Sequence, residues 1–169
     1  MEFRPMRRIR QELPTEKCIE ILEKAPAGVL ALVGDNGYPY GVPLSYVYHD
    51  GAIYFHSAIA GHKIDAIQSE ERCSFTVIEK DEVHPDKYTT YFRSVIVFGR
   101  IHIIEDEEGK MSALRLLGER YNPGHPTATD NEIGKHMSPE NHLQHIVLLR
   151  LDIEHLTGKE AIELVKMRE

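Results

Sequence analysis

The sequence predicts a mainly β protein: a small, closed β-barrel plugged or flanked by helices. Three observations carry that expectation. Six segments read as strands, against a few mostly short helices. The first three strands run as an antiparallel meander through strong turn signals. The fifth strand, Tyr91 to Ile104, is apolar on both faces at its middle, which a strand with one solvated face would not be. Closure removes the sheet edges that such a chain would otherwise expose.

The elements follow in order. Thr15 to Ala25 reads as an opening helix. Pro14 precedes it, Thr15 stands as N-cap, and Cys18, Ile19 and Leu22 share one face before Pro26 and Gly28 stop it. Val29 to Val33 is a short apolar run closed by Gly34-Asp35-Asn36-Gly37, in which Asn-Gly is a hairpin signal. Tyr38 to Tyr48, rich in β-branched and aromatic residues, is the second strand. His49-Asp50-Gly51 turns the chain into the third, Ala52 to His56. Ser57 to Gly61 is small and flexible, and Lys63 to Gln68 is a short helix with Ile64 and Ile67 inward. Cys73 to Glu79 is the fourth strand. Lys80 to Tyr88, charged and containing Pro85, is a loop.

In the fifth strand Val95, Val97, Ile101 and Ile103 point one way and Ile96, Phe98 and Ile104 the other. Either one subunit covers both faces or one face meets a second subunit. With so few helices in 169 residues, the second is favoured. Asp106 to Tyr121 is the longest helix, with Met111, Leu114, Leu117 and Tyr121 at helical spacing. Asn122 to Thr129 is a loop, Asp130 to Met137 a short helix, Leu143 to Ile153 the sixth strand, and Lys159 to Val165 a last short helix.

Composition narrows the class. The 169 residues read as one domain, long enough to bury a core without disulfides or structural metal. A hydrophobic share of 41% excludes a disordered chain. With 20 Lys and Arg against 27 Asp and Glu, the net charge is −7, which argues against a binder that works by neutralising nucleic-acid phosphates. Cys18 and Cys73 are far apart and belong to no CxxC. Neither a disulfide framework nor a zinc ribbon is expected, and the chain reads as reduced and cytoplasmic. No apolar run approaches the roughly 20 residues of a membrane helix. The segment Met1 to Arg10 carries Arg4, Arg7, Arg8 and Arg10 and is followed by no apolar region, so it is not a signal peptide. It reads either as a patch for an anionic ligand or nucleic acid, or as a solvated or partner-clasping arm.

Nucleotide fingerprints are absent. No GxGxxG follows a strand, and Gly61-His62-Lys63 and Gly158-Lys159-Glu160 lack the rest of a P-loop. Ten histidines invite a metal reading. The nearest approach is His136, His142 and His145. If His142 and His145 share a strand, three residues apart puts them on opposite faces. Only a His142 placed in the preceding loop escapes that objection. No HExxH occurs, and a bound transition metal is not expected. Chain order leaves a Ser-His-Asp triad open, but there is no GxSxG elbow. The segment His56 to Lys63 is more telling. Hydroxyl, imidazole, ammonium and helix N-terminal amides gather at a strand end and a helix start, as a phosphate monoester requires. The competing reading is a capped helix with an exposed lysine.

Four stretches then carry a resemblance: Gly37-Tyr38-Pro39-Tyr40-Gly41-Val42-Pro43-Leu44-Ser45-Tyr46-Val47, Ile53-Tyr54-Phe55-His56-Ser57-Ala58, Gly61-His62-Lys63, and Tyr91-Phe92-Arg93-Ser94-Val95-Ile96-Val97-Phe98-Gly99-Arg100. In order and spacing they resemble the pyridoxamine 5′-phosphate oxidase-like flavin proteins, and among these the nitroimidazole-resistance (Nim) proteins most closely, from about Met6 to Val165. The resemblance implies a six-stranded split β-barrel that binds FMN, built as a homodimer with FMN at the interface. It implies that Val42, Pro43, Leu44 and Ser45 line the isoalloxazine through their backbone. His56, Ser57, Ala58, His62 and Lys63 would lie on the phosphate side, and Ser94 and Val95 on the neighbouring strand near the cofactor. Val42 and Val95 are equally readable as core, and Ser45 as an ordinary strand residue.

The Nim resemblance further implies reduction of a nitro group on a small aromatic substrate to an amine. That conversion takes six electrons, so a transient electron donor must recharge the flavin, docking over it because the chain holds no nicotinamide fold. The chain has no Trp and no C-terminal arginine-rich segment, and so departs from true pyridoxamine phosphate oxidases. An enzyme related to those oxidases, a non-enzymatic FMN store and a haem-handling protein are the alternatives. No Cys, Ser or His stands in a nucleophile constellation. The redox work is expected of the flavin alone, with His56 and His62 as catalytic proton donors or, alternatively, as hydrogen-bonding residues only.

Overall fold

Tyr46 divides what reads in the sequence as one strand. In a computed structural model that describes residues 2–137 and 146–168, β1 (Ala27–Val33) pairs antiparallel with β2 (Pro39–Ser45), whereas β3 (Val47–His49) pairs with β4 (Ala52–Ala58). The three-stranded meander is therefore broken, and the sheet has seven strands where six are expected. Its order is β2-β1-β5-β6-β7-β4-β3, with β5 at Arg72–His84, β6 at Thr89–Ile103 and β7 at Ile146–Glu160, all antiparallel. The two edge strands, β2 and β3, are consecutive in the chain and separated by one residue. The sheet must curl until its edges meet at Tyr46, yet no described ladder joins them. It closes through a corner and not through hydrogen-bonded strands, which corrects the closed barrel of the sequence reading.

The corner is held from three sides. Tyr46 is fully buried. Its hydroxyl donates to the Leu22 carbonyl at 2.8 Å, and its ring meets Phe75 edge-on at 4.8 Å. Its own carbonyl accepts from the Tyr121 hydroxyl at 3.0 Å. Leu22 lies in α1 (Thr15–Lys24) and Tyr121 ends α3 (Glu107–Tyr121). Arg120 donates to the Lys24 and Ala25 carbonyls at 3.0 and 2.8 Å, placing a cation on the carbonyl end of α1. The core inside the curl is the alternate set of each strand: Leu30 and Leu32, Phe75 and Val77, Val95 and Val97, Leu149 and Leu151. Helix α2 (His62–Ser69) plugs it with Ile64, Ala66 and Ile67.

Several boundaries move, each for a physical reason. The turn at Asp35–Gly37 is formed as expected, with Asn36 at φ 56° and Gly37 at φ 76°. The charged stretch Lys80 to Tyr88 is not a loop up to Pro85. β5 and β6 stay paired to His84↔Thr89 after a bulge between Ile78 and Lys80, and the alternating charges face solvent or pair across the ladder, as Arg93 does with Glu79 at 3.2 Å. Pro14, and not Thr15, is the N-cap of α1. Asp106 caps α3, accepting from the Gly109 amide at 2.7 Å. α4 (Pro126–Met137) starts at Pro126, four residues earlier than Asp130, because proline suits a first helical turn. Leu143, His142 and His145 lie outside the described residues.

β7 runs to Glu160, and the last helix, α5, is Ile162–Arg168 and not Lys159 to Val165. Glu160 explains this. It is 1% exposed, and its Oε2 accepts from Arg93 Nε and Nη2 at 3.2 and 3.1 Å. Arg168 Nε stands 2.8 Å from Oε1, outside hydrogen-bond geometry, so that oxygen has the charge but no bond. A residue so deeply ion-paired belongs to the sheet end, and α5 can begin only beyond it.

The second face of β6 is partly covered by the chain itself. Ile104 packs with Leu148 and with Ala113 of α3. Further along, Phe3 lies 5.5 Å from the Phe98 ring. The face beyond Phe98, toward Ile96 and Ser94, remains open. Replacing Tyr46 by Phe would leave the buried Leu22 carbonyl without its donor, at a cost of about 1–3 kcal/mol. The expected result is a melting temperature lower by about 3–8 °C with unchanged secondary structure, read by circular dichroism. A variant that melts with the wild type would show that the corner does not depend on this bond.

Candidate functional site

Strand alternation sorts the expected residues. Val42 and Leu44 are half-buried on the inner side of β2, while Pro43 and Ser45 are exposed on the outer side. Val95 is fully buried in the core, and Ser94 next to it faces outward, half-buried. Val42, Leu44 and Val95 can therefore offer a ligand only their backbone. For β2 that is a real offer, because it is an edge strand with one unpaired side. Val95 is hydrogen-bonded into ladders on both sides.

The outer face on which Pro43, Ser45 and Ser94 stand has a distinct composition. Register aligns Pro43, Val29, Thr76, Ile96 and Thr157 in one row across five strands, and Gly41, Ala31, Ser74, Phe98 and His155 in the next. Neither row contains Asp, Glu, Lys or Arg. Val29 is 39% and Ile78 65% exposed on this face. It is a broad, uncharged surface on the outside of the curl, with small residues at its β1–β2 end, able to lie against an apolar group or another apolar surface.

The phosphate-side residues do not all gather at one spot. His56 and Ser57 are neighbours on β4 and so face opposite ways: His56 and Ala58 are exposed on the outside, and Ser57 is buried on the inner side. Ser57 shares the inner side with α2, which enters the core at that end. Gly61 caps α2 at φ 119°, a conformation that needs glycine, and carries no side chain to bond the first amides. Lys63 is half-buried, and desolvation by burial lowers its pKa. Among the described residues it has no carboxylate partner. A desolvated, unpaired ammonium beside uncapped helix amides is a ready anion site.

His62 is engaged elsewhere. Its Nε2 accepts from the Asp35 amide at 3.3 Å, and its ring stacks on Tyr40 at 4.0 Å. It ties α2 to the first hairpin turn. Asp35 and Tyr40 were not read as its partners because 27 and 22 residues of chain separate them from it, and no periodicity links a hairpin to a later helix. A cavity of about 550 Å³, also not anticipated, lies between the start of α3 and the outer side of β4, β6 and β7. On its wall Arg150 donates to Asp152 at 2.7 Å and lies 5.7 Å from the Tyr54 ring. It contains none of the expected site residues. No three His, Cys, Asp or Glu among the described residues stand together as metal ligands, and no described helix is long and apolar enough to cross a membrane.

Both thiols are buried and unpaired. Burial pushes Cys18 up to about 11, with Glu12 adding to the effect, and Cys73 up to about 12, with Glu154 adding. A thiol so far from ionisation is a poor nucleophile.

The family described as pyridoxamine 5′-phosphate oxidase matches residues 14–160. A solved FAD-binding protein from Mesorhizobium loti is 28% identical, with a TM-score of 0.58 over 89% of this chain and 97% of that one. The flavocytochrome Anf3 from Azotobacter vinelandii is 22% identical, with a TM-score of 0.73 over 93% and 72%. A protein from Bacteroides thetaiotaomicron, proposed as a 5-nitroimidazole antibiotic resistance protein, is 20% identical, with a TM-score of 0.70 over 88% and 86%. No protein of curated function matches the sequence. At pH 8 a thiol reagent such as Ellman's is expected to label neither cysteine in the native chain and both after denaturation. Labelling of either in the folded protein at the rate of a free thiol would contradict the burial described above.

Proposed function

The chain belongs to the pyridoxamine 5′-phosphate oxidase family, and from that premise we propose that it is a flavoprotein that binds FMN and reduces nitroimidazoles or other small nitroaromatic compounds. The observation that carries the reading is the uncharged outer face of β2, β1, β5 and β6, on which Pro43, Ser45 and Ser94 stand together. Support for a phosphorylated flavin comes from Lys63 and the uncapped start of α2. When bound, the flavin supplies the electron transfer that no side chain here can perform.

The chain's residues divide the remaining work. Lys63 and the first amides of α2 bind the phosphate. The free backbone edge of β2 at Pro43 to Ser45 bounds the ring system, and Ser94 offers a hydroxyl beside it. His56, exposed on the outer side of β4, stands opposite Leu148 and so level with Ile104, about 26 Å along β6 from Ile96, and carries a proton only to a flavin held between two protomers. His62, for which the sequence suggested the same role, has Nε2 committed to Asp35 and instead holds the phosphate helix in place. A single copy leaves Val29 and Ile78 exposed and Ile96 half-buried between them, and a second copy of this chain covers them, so that the flavin lies between two protomers.

The visible spectrum of purified protein tests the reading first. Flavin bands near about 370 and 450 nm are expected, whereas a Soret band would make this a haem protein. Lys63→Ala should weaken FMN binding about 10- to 200-fold, from the loss of roughly 1.5–3 kcal/mol of charge-assisted contact. Flavin fluorescence titration reads that change, and unchanged affinity would remove Lys63 from the site. Turnover of a nitroaromatic by reduced protein separates a reductase from a flavin store. In that assay His56→Gln should slow oxidation of the flavin while retaining it.

Assembly is read separately. Ile96→Asp places a charge in the middle of the uncharged rows. Sedimentation should show a wild-type dimer and a variant monomer at micromolar concentration, with flavin lost alongside. A wild-type monomer that holds flavin would exclude the shared site.

A further inference from the structure

The cavity of about 550 Å³ on the outer side of β4, β6 and β7 has no task in the proposed function. Its floor is one row of the sheet: Tyr54 of β4 pairs with Arg150 of β7, and Arg150 with His102 of β6. Their chain neighbours Ile53, Phe55, Leu149, Leu151 and Ile101 are buried in the core, so these three point outward. The start of α3 closes the other side with Asp106, Glu108 and Ser112. A volume in this range suits a small molecule. His102 stands six residues beyond Ile96, about 20 Å along β6, so the cavity lies apart from the uncharged rows.

The polar groups of the cavity divide into engaged and free ones. Asp152 Oδ1 accepts from Arg150 Nε at 2.7 Å, and its Oδ2 lies 3.6 Å from His102 Nδ1. The Arg150 guanidinium also lies 5.7 Å from the Tyr54 ring. These contacts hold the side chain but leave its terminal nitrogens, Nη1 and Nη2, without a partner among the described residues. A guanidinium edge held in this way matches the two oxygens of a carboxylate. On the α3 side, Asp106 is engaged by the Gly109 amide. Glu105 and Glu108 line the cavity, are exposed, and have no cation or hydrogen-bond partner among the described residues.

Charge then selects the ligand. Asp152 balances Arg150, so the cavity keeps the negative charge of Glu105, Asp106 and Glu108. A plain anion would meet the Arg150 edge but be repelled by these carboxylates, and a plain amine would leave the Arg150 edge unused. A molecule carrying both charges satisfies both, and Ile103 and Ile104 offer apolar wall to a short hydrocarbon chain. We propose that this cavity binds a small zwitterion of the class of a free α-amino acid with an apolar side chain. Its carboxylate lies on the terminal nitrogens of Arg150 and its ammonium at Glu105 and Glu108.

The test is calorimetric titration of the full chain at about 0.15 M salt. The probes are norleucine, hexanoate, which lacks the ammonium, and pentylamine, which lacks the carboxylate. Norleucine should bind wild type about 10-fold or more tighter than either analogue. Arg150→Gln should lose about 10-fold or more in norleucine affinity and none for pentylamine, and Arg150→Lys, which keeps the charge, should recover part of the loss. The double variant Glu105→Gln, Glu108→Gln should weaken norleucine and pentylamine but not hexanoate. Lys63→Ala should bind norleucine as wild type does, because the site is independent of the flavin reading. The proposal is overturned if wild type binds norleucine no better than both analogues, or if the Arg150→Gln and double Gln variants bind it normally. Equal affinity for norleucine and pentylamine would make this a cation site and refute the role of Arg150, and equal affinity for norleucine and hexanoate would refute the role of the two glutamates.

Discussion

The structure depends on one constraint: a single residue, Tyr46, must join the two edges of a seven-stranded sheet. A sheet of that width left flat would expose two long edges and an unsatisfied apolar face. Bringing Ser45 and Val47 to one corner forces the curl. The inward alternate residues of five strands then share one core, and the outward ones are left to α3, the N-terminal arm and solvent. The corner is stable because its polar groups are satisfied inside the protein. The Tyr46 hydroxyl and carbonyl bond to residues of α1 and α3, so both helices are fastened to the place where the sheet turns.

The opposite end is fastened by charge. Glu160, buried at the last position of β7, meets Arg93 from β6 and Arg168 from α5, while its carbonyl takes the Gln11 side chain. A buried carboxylate is tolerable only when it is paired. Here the pairing gathers the N-terminal arm, the sheet and the last helix at one point. Gly99 shows how tightly the middle is drawn. A Cβ there would collide with the Asp152 carbonyl oxygen, at the step where β7 slips its register against β6.

These two fastenings frame the candidate site. The outer face of β2, β1, β5 and β6 lies between them and carries no charge across two full rows. Apart from His155 within it, the ionisable groups nearest to it stand one row away: Arg72 and Arg100 beyond the Phe98 row and Lys159 beyond the Ile96 row. The thiols are placed deep in the core, where burial keeps them protonated. A protein arranged this way has little redox or nucleophilic chemistry of its own, which suits a scaffold that binds a reactive group and controls what approaches it.

Local chemistry determined much of this from sequence alone. The Asn36-Gly37 turn, the helices at residues 15–24 and 107–121, the two-sided strand at Tyr91, and a mainly β fold are readable because they depend on spacing and turn preference within a few residues. The motifs from Gly37 to Arg100 were enough to indicate the family. Tertiary structure decided what depends on partners distant in the chain. Tyr46 interrupts a strand because Leu22 and Tyr121 claim its polar groups, although nothing in its neighbours marks a break. Glu160 prolongs β7 because Arg93 and Arg168 surround it. His62 turns to Tyr40 and Asp35, and His56 and Ser57 separate because β4 is still a strand at both. Sequence period tells which residues share a face. Which face becomes the inside, and what meets it there, follows from the curl of the sheet.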